Sequence, residues 1–159
     1  MNSWRAHVLR ALGVGAIGLG VVGCVSGVSS AERERPVEPA PGLRSRVVAV
    51  ALKNVGAPYA RGGTSPAGFD CSGLVMYVYA RAGRALPHNA VKQYELGSPV
   101  ARDDLEPGDI VFFDHLRHSG IYIGGGKFVH ASKPGDVVKI SNIREEWFRR
   151  RWVGARRLH

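Results

Sequence analysis

Cysteine is almost missing from this chain of 159 residues: Cys24 and Cys71 are the only two, so one disulfide at most could form. No repeat and no low-complexity tract occurs, which removes solenoid and array architectures. The N-terminal apolar run, Ala11 to Val22, is twelve residues long, too few to cross a bilayer as a helix. Acidic residues are scarce as well, 13 against 22 lysines and arginines. What is present, 45% hydrophobic and 22% charged residues, is the balance of an ordinary globular domain, and the length suits one such domain.

The first segment reads as an export signal. Arg5 and Arg10 precede the apolar run, and Val21-Val22-Gly23-Cys24 resembles a bacterial lipobox, in which the cysteine is lipidated and becomes the new N-terminus; Val21 departs from the usual Leu. Residues 1–23 are therefore expected to be a lipoprotein signal peptide, with cleavage near Ser30-Ala31 as the alternative. Removing Arg5 and Arg10 leaves 20 basic residues against 13 acidic, a balance of about +7. That charge suits an anionic polymer or a membrane surface, although a solvated basic face is the commoner cause. Residues 24–41 hold Pro36, Pro39 and Pro41 and few large apolar side chains, as expected of an extended tether.

Residues 42–159 remain for the folded domain, enough to bury about two thirds of their unfolded surface. Leu43, Val47, Val48, Val50, Ala51 and Val55 recur at helical spacing and predict a helix from about Leu43 to Asn54, with its Val and Leu side chains in the core. A second helix is predicted through Leu74 to Ala82, closed at Gly83, and a short third one opened by Asn89 and closed at Gly97. Beyond Pro107-Gly108 the pattern turns to short strands: Ile110 to Phe113, His118 to Ile123, Lys127 to Ala131, Val137 to Ile140 and Trp152 to Arg157. Helices first and strands afterwards predict an α+β fold with helices on an antiparallel sheet.

Chemistry concentrates at Gly68-Phe69-Asp70-Cys71-Ser72-Gly73, where a Gly/Pro/Ser loop runs into the second helix. Asp70 falls at the N-cap and Cys71 in the first turn, where unpaired N–H groups and the helix dipole favour the thiolate. Gly73, without a Cβ, would let the helix end approach a substrate backbone. With Cys24 lipidated, Cys71 has no disulfide partner, and a free thiol in an exported protein reads as a nucleophile rather than a core cysteine. Asp70 carries a charge that opposes thiolate formation, so it should cap the helix or face a substrate cation.

A nucleophilic cysteine needs a base. Of six histidines, His7 leaves with the signal, His159 ends the chain, and His88 and His115 sit in polar loop sequence where solvation is expected. His118 and His130 remain, both on predicted strands. If Gly124-Gly125-Gly126 is a three-residue hairpin loop, Gly120 lies opposite His130 and His118 is its diagonal neighbour on the same face, with Cα atoms about 7–8 Å apart. Ile121, Ile123 and Val129 then point to a core on the other face, and Gly120 leaves room for the Cys71 helix end. His118 would exchange the Cys71 proton with the leaving group while His130 orients the His118 ring.

With these blocks in order, together with Gly62-Gly63-Thr64-Ser65-Pro66, Pro107-Gly108-Asp109-Ile110-Val111-Phe112-Phe113, His118-Ser119-Gly120-Ile121-Tyr122-Ile123-Gly124 and His130-Ala131, the sequence resembles the NlpC family of bacterial cell-wall peptidases over nearly all of Leu43 to Leu158. The resemblance implies a papain-like α+β fold, a catalytic domain at 42–159, and hydrolysis of peptidoglycan stem peptides, typically between D-glutamate and diaminopimelate. Cys71, His118 and His130 match its catalytic triad. Tyr59 matches a tyrosine near the oxyanion site, with Ser72, Asp70 and Arg61 beside it as substrate-binding candidates. Arg61 stands where an aromatic residue is common, His88 where Arg is usual after Leu-Pro, and Ser119 where Val is frequent; the first two bear on contacts to substrate carboxylates.

Three competing readings stay beside the endopeptidase: a catalytically silent wall-binding lipoprotein, an acyl transferase with the same thiol chemistry, and a zinc site from His115, His118, His130 and Cys71. The last lacks the helix that a two-His metal motif needs. The expectations are no cofactor and no metal, no nucleic-acid partner, a monomer, and a location in the cell envelope through lipid on Cys24, at the periplasmic face of the outer membrane in a Gram-negative cell. The C-terminal arginines Arg149, Arg150, Arg151, Arg156 and Arg157 are read as a solvated or membrane-facing surface.

Overall fold

The computed structural model describes residues 42–159; the expected signal, the expected lipidation at Cys24 and the whole of the expected tether lie outside the described residues. Helix α1 (Leu43–Lys53) turns Val47 and Ala51 inward. Leu52 and Val55 are each 43% exposed, so the expectation that all the apolar residues of this segment are core fails. Val55 lies past the helix end, where the chain has left the 3.6-residue period that would bury it.

Thr64–Ser65 (β1) and Gly68–Phe69 (β2) form a small antiparallel hairpin that delivers the chain to α2 (Cys71–Arg81). Leu74, Val75, Val78 and Tyr79 of α2 are all buried, an apolar stripe at helical spacing. The Tyr79 hydroxyl donates to the Gly108 carbonyl and fixes α2 to the loop that enters the sheet. A one-turn helix, α3 (Ala90–Tyr94), follows, its N-cap Asn89 accepting from the Lys92 N–H.

The main sheet is wholly antiparallel in the order β3-β8-β4-β5-β6-β7, from Ser98–Val100 (β3), Ile110–Phe113 (β4), His118–Gly124 (β5), Lys127–Ala131 (β6), Val138–Asn142 (β7) and Trp152–Arg157 (β8). Between β7 and β8 lies the short helix α4 (Glu146–Arg150). One sheet face presents Ile110, Phe112, Ile121 and Val129 to α1 and α2. The opposite face carries Val111, Phe113, Tyr122 and Phe128, covered by Ile143 and Phe148. Strand β4 is thus buried on both sides, which explains why Ile110-Val111-Phe112-Phe113 is a continuous apolar run rather than an alternating one.

The β5–β6 register is the expected one, Ile121 opposite Val129 and Tyr122 opposite Phe128, but the loop differs. Gly124 pairs with Lys127, leaving a two-residue Gly125-Gly126 loop, and the register shifts between Tyr122 and Gly124. Positive φ at both loop residues is what a tight primed turn requires, and the bulge before it restores the parity a three-residue loop would have supplied. Gly120 does not make room for the Cys71 helix end. A Cβ there would fall 2.6 Å from Phe128 and 3.1 Å from the His130 Cβ, so the space is taken by β6.

Candidate active site

The nucleophile candidate is set by its helix start. Asp70 accepts from the Gly73 N–H at 2.6 Å and from the Ser72 hydroxyl at 3.2 Å through Oδ1, and from the Gly62 N–H at 3.0 Å through Oδ2. One carboxylate therefore caps α2 and ties it to the loop of β1. Gly73 serves the same junction: a Cβ on it would fall 2.0 Å from the Gly63 carbonyl oxygen. Its missing side chain admits the chain's own loop, not a substrate backbone. Gln93, fully buried, holds the helix start from the other side by donating to the Ser72 and Pro87 carbonyls at 2.9 and 2.8 Å. Nothing in the sequence pattern singled it out, because a lone Gln in a short helix carries no periodic signal.

Partly buried Cys71 has its sulfur 3.6 Å from the Arg117 carbonyl, one residue before His118. The thiol's pKa is raised, first by burial and then by the Asp70 charge; hydrogen bonding from Ser119 and Ser72 pulls the other way without prevailing. The expectation that the helix start favours the thiolate is thereby reversed, because desolvation of the charged form outweighs the dipole. The fully buried Ser119 hydroxyl is one of the groups that lower the thiol's pKa, after the backbone of Ser119 and of Ser72.

His118 and His130 meet. His118 Nε2 lies 2.9 Å from His130 Nδ1, and His130 Nε2 lies 2.9 Å from Ser141 Oγ. The rings are edge to face at 4.9 Å, packed among Phe113, Phe128 and Phe148. Burial, the first cause for both, holds the two imidazoles well below their ordinary pKa, so both rings are neutral near pH 7. Two proton arrangements satisfy this chain. Only one leaves His118 Nδ1 a bare acceptor: His130 Nε2–H donates to Ser141, and His118 Nε2–H donates to His130 Nδ1.

Tyr59 joins the group by packing against the α-helical core and by backbone hydrogen bonding to Asp136 at 2.9 Å. Its pKa is raised by burial and then by the charges of Cys71 and Asp70, so its hydroxyl stays a donor on the Cys71 side of the site. Arg61 is exposed in the neighbouring turn. His88 is exposed, as expected, and also places Nε2 2.9 and 3.0 Å from the two Asp70 oxygens. Its Leu86-Pro87 neighbours carry the ring back over the start of α2, a long-range return invisible to local polarity. His115 does lie out, its side chain 90% exposed, while His118 is buried, so the two rings of His115-x-x-His118 occupy different environments.

The C-terminal arginines are not one solvated surface. Arg157 donates to both Asp109 carboxylate oxygens at 2.8 Å, Arg156 lies 4.1 Å over the Tyr94 ring, and Arg151 lies 4.7 Å over Trp147.

The sequence model of the NlpC/P60 family matches residues 56–157. A probable endopeptidase of Mycobacterium tuberculosis is 52% identical over 100 residues, 62% of this chain and 26% of that protein. A gamma-DL-glutamyl hydrolase of Bacillus subtilis is 42% identical over 119 residues, 70% of this chain and 29% of that protein. The chain thus spans under a third of the length of these relatives. Among solved structures, the NlpC/p60 domain of the peptidoglycan hydrolase SagA superimposes with a TM-score of 0.66 at 33% identity, covering 72% of this chain and 98% of that domain.

Proposed function

The chain belongs to the NlpC/P60 family, a family of peptidoglycan endopeptidases and hydrolases, and from that premise we propose that it is a cysteine peptidase of peptidoglycan stem peptides acting through Cys71, His118 and His130. The observation that carries this reading is the Cys71 sulfur lying 3.6 Å from the Arg117 carbonyl, beside a histidine bonded to a second one.

The resting pair is a neutral thiol and a neutral imidazole. As Cys71 Sγ bonds to the substrate carbonyl carbon, the thiol proton passes to His118 Nδ1, while the positive charge formed on the ring is spread through His130 toward Ser141. His118 then gives that proton to the amine nitrogen as the amide C–N bond breaks, leaving a thioester on Cys71. Water attacks the thioester, its proton going to His118, and the thiol is regained with a free carboxyl product. The Tyr59 hydroxyl and the N–H groups at the start of α2 are the donors for the oxyanion.

The bond cleaved is read as γ-D-glutamyl to diaminopimelate. Digestion of muropeptides of known stem composition by the full chain, with mass spectrometry of the products, tests it: release of a fragment beginning at diaminopimelate supports the bond, and release at a cross-link between D-alanine and diaminopimelate contradicts it. Cys24 is proposed to carry the lipid that holds the domain at the membrane. Cys24→Ala should therefore leave the membrane fraction; a variant that stays there overturns the anchor.

A further inference from the structure

A second cavity, of about 430 Å³, lies where Tyr122 and Ile143 of the apolar cluster away from α1 and α2 meet solvent, and neither Cys71 nor His118 nor His130 lines it. Its size is within the range of small-ligand sites, about 300–1,000 Å³. Three arginines line it from three segments: Arg102 from the single turn Arg102–Asp104, Arg144 from the loop after β7, and Arg149 from α4. The walls are tied together at Ile143, whose N–H donates to the Gly126 carbonyl at 2.8 Å and whose carbonyl accepts from Arg102 Nη2 at 2.6 Å. Half-buried Arg102 is held further by the Trp152 ring, 5.4 Å from its guanidinium carbon. The guanidinium groups of Arg144 and Arg149 have no hydrogen-bond or ion-pair partner among the described residues. The carboxylates nearest them in the chain are committed elsewhere: Glu145 accepts from the Asn142 N–H at 2.7 Å, and Glu146 pairs with Arg150 at 2.5 Å. Asp103 is the one carboxylate in the lining, so three guanidinium charges less one leave the cavity at +2. Tyr122, 8% exposed, adds a neutral donor: its hydroxyl oxygen accepts from the Gly126 N–H at 2.9 Å, which leaves the hydroxyl proton without an acceptor among the described residues.

Like charges gathered about one cavity repel one another, and an anion between them turns that repulsion into attraction. The donor set decides which anion. A carboxylate carries one charge on two coplanar oxygens, and a single guanidinium fork satisfies it. A phosphate monoester carries close to two charges on three oxygens, which matches the +2 of the lining and gives each fork and the phenol an acceptor. We propose that this cavity is a binding site for a phosphate monoester, with Arg102 and Tyr122 as the fixed donors of its wall and the exposed Arg144 and Arg149 supplying the remaining charge. The phosphate belongs either to an anionic lipid headgroup or to a soluble phosphate ester; the recognition chemistry is the same. The site stands apart from the peptidase reading, since it shares no residue with Cys71, His118 and His130.

Full-chain protein carrying Cys24→Ala, so that no acyl chain contributes, is titrated with inorganic phosphate and, at equal ionic strength, with acetate, following the Gly126 amide and the arginine Nε–H signals by NMR. Sedimentation with phosphatidylcholine vesicles, with and without phosphatidic acid, is measured beside it. Phosphate should shift Gly126 and Arg102 and bind about tenfold more tightly than acetate. Arg144→Gln/Arg149→Gln should weaken phosphate about tenfold, while Lys53→Gln/Arg81→Gln, which removes the same charge from exposed positions on α1 and α2, should leave it unchanged. Vesicle binding that needs phosphatidic acid and is lost in the Arg144/Arg149 variant upholds the site with a lipid headgroup as its ligand. Phosphate binding without such vesicle binding upholds it with a soluble phosphate ester. No shift with phosphate, equal binding of phosphate and acetate, or an equal loss in the two double variants marks a general charge effect and overturns the site.

Discussion

The Cys71 sulfur rests against the carbonyl of Arg117, at 3.6 Å, one residue before His118. A thiol that donates to a carbonyl is protonated, in keeping with its raised pKa. The site therefore stores no thiolate, and the proton leaves only as the sulfur attacks.

Alkylation of Cys71 by iodoacetamide should accordingly rise with pH above the ordinary thiol range and show no reactive plateau below pH 7. Ser119 supplies the hydrogen bonds that restrain this shift. Ser119→Val, which removes the buried hydroxyl but keeps a β-branched strand residue, should move the alkylation midpoint further upward. A thiolate plateau in mild acid, or an unmoved midpoint in the variant, contradicts the neutral-pair account.

Stability should fall in acid through the histidines. His118 titrates near pH 4 in the fold against about 6.5 unfolded, and His130 is depressed as well. Protonation thus favours the unfolded chain. The contribution is complete above about pH 6.5 and is lost toward pH 4 for His118 and toward pH 3 for His130, at roughly 1.4 kcal/mol per pH unit for each group. Urea midpoints between pH 7.5 and 4.5 should drop, and a His118→Gln/His130→Gln double variant should flatten the curve. The acid limb of kcat/KM should lie below pH 6.5.

Asp109 is fully buried and accepts from Arg157 twice at 2.8 Å and from the Glu106 N–H at 2.8 Å. Arg157→Ala should leave that carboxylate buried without its cation and cost about 3–5 kcal/mol in chemical denaturation. Asp109→Asn combined with Arg157→Met should recover much of the loss. A cost below about 1 kcal/mol for the single variant would contradict a structural role for the pair.

Arg61 is exposed and close enough to Tyr59 for its charge to act on that hydroxyl. Arg61→Ala should raise KM for peptides with a free carboxylate by about 1.5–3 kcal/mol, and should leave amidated peptides nearly unchanged. Equal weakening of both would make the residue structural.

Much of this was legible because it is local or periodic. The Asp70 cap, the α2 stripe, the strand at Ile110 to Phe113 and the meeting of His118 with His130 all follow from spacing, and parity gave the histidine face despite a different loop. What escaped is long-range or short. The five-residue α4 is too brief for a periodic signal, yet it supplies Trp147 and Phe148 to the histidine pair. His88 reaches Asp70 across the fold, and the raised thiol pKa depends on burial that no local pattern reports.

The central claim, that Cys71 is the nucleophile, is tested most directly by hydrolysis of purified stem peptides with wild-type protein beside Cys71→Ser, both shown folded by circular dichroism. The serine hydroxyl has far too high a pKa for a neutral, buried His118 to activate it comparably, so the variant should lose at least about a thousandfold in kcat/KM with its fold intact. Hydrolysis by Cys71→Ser at the wild-type rate would contradict the account.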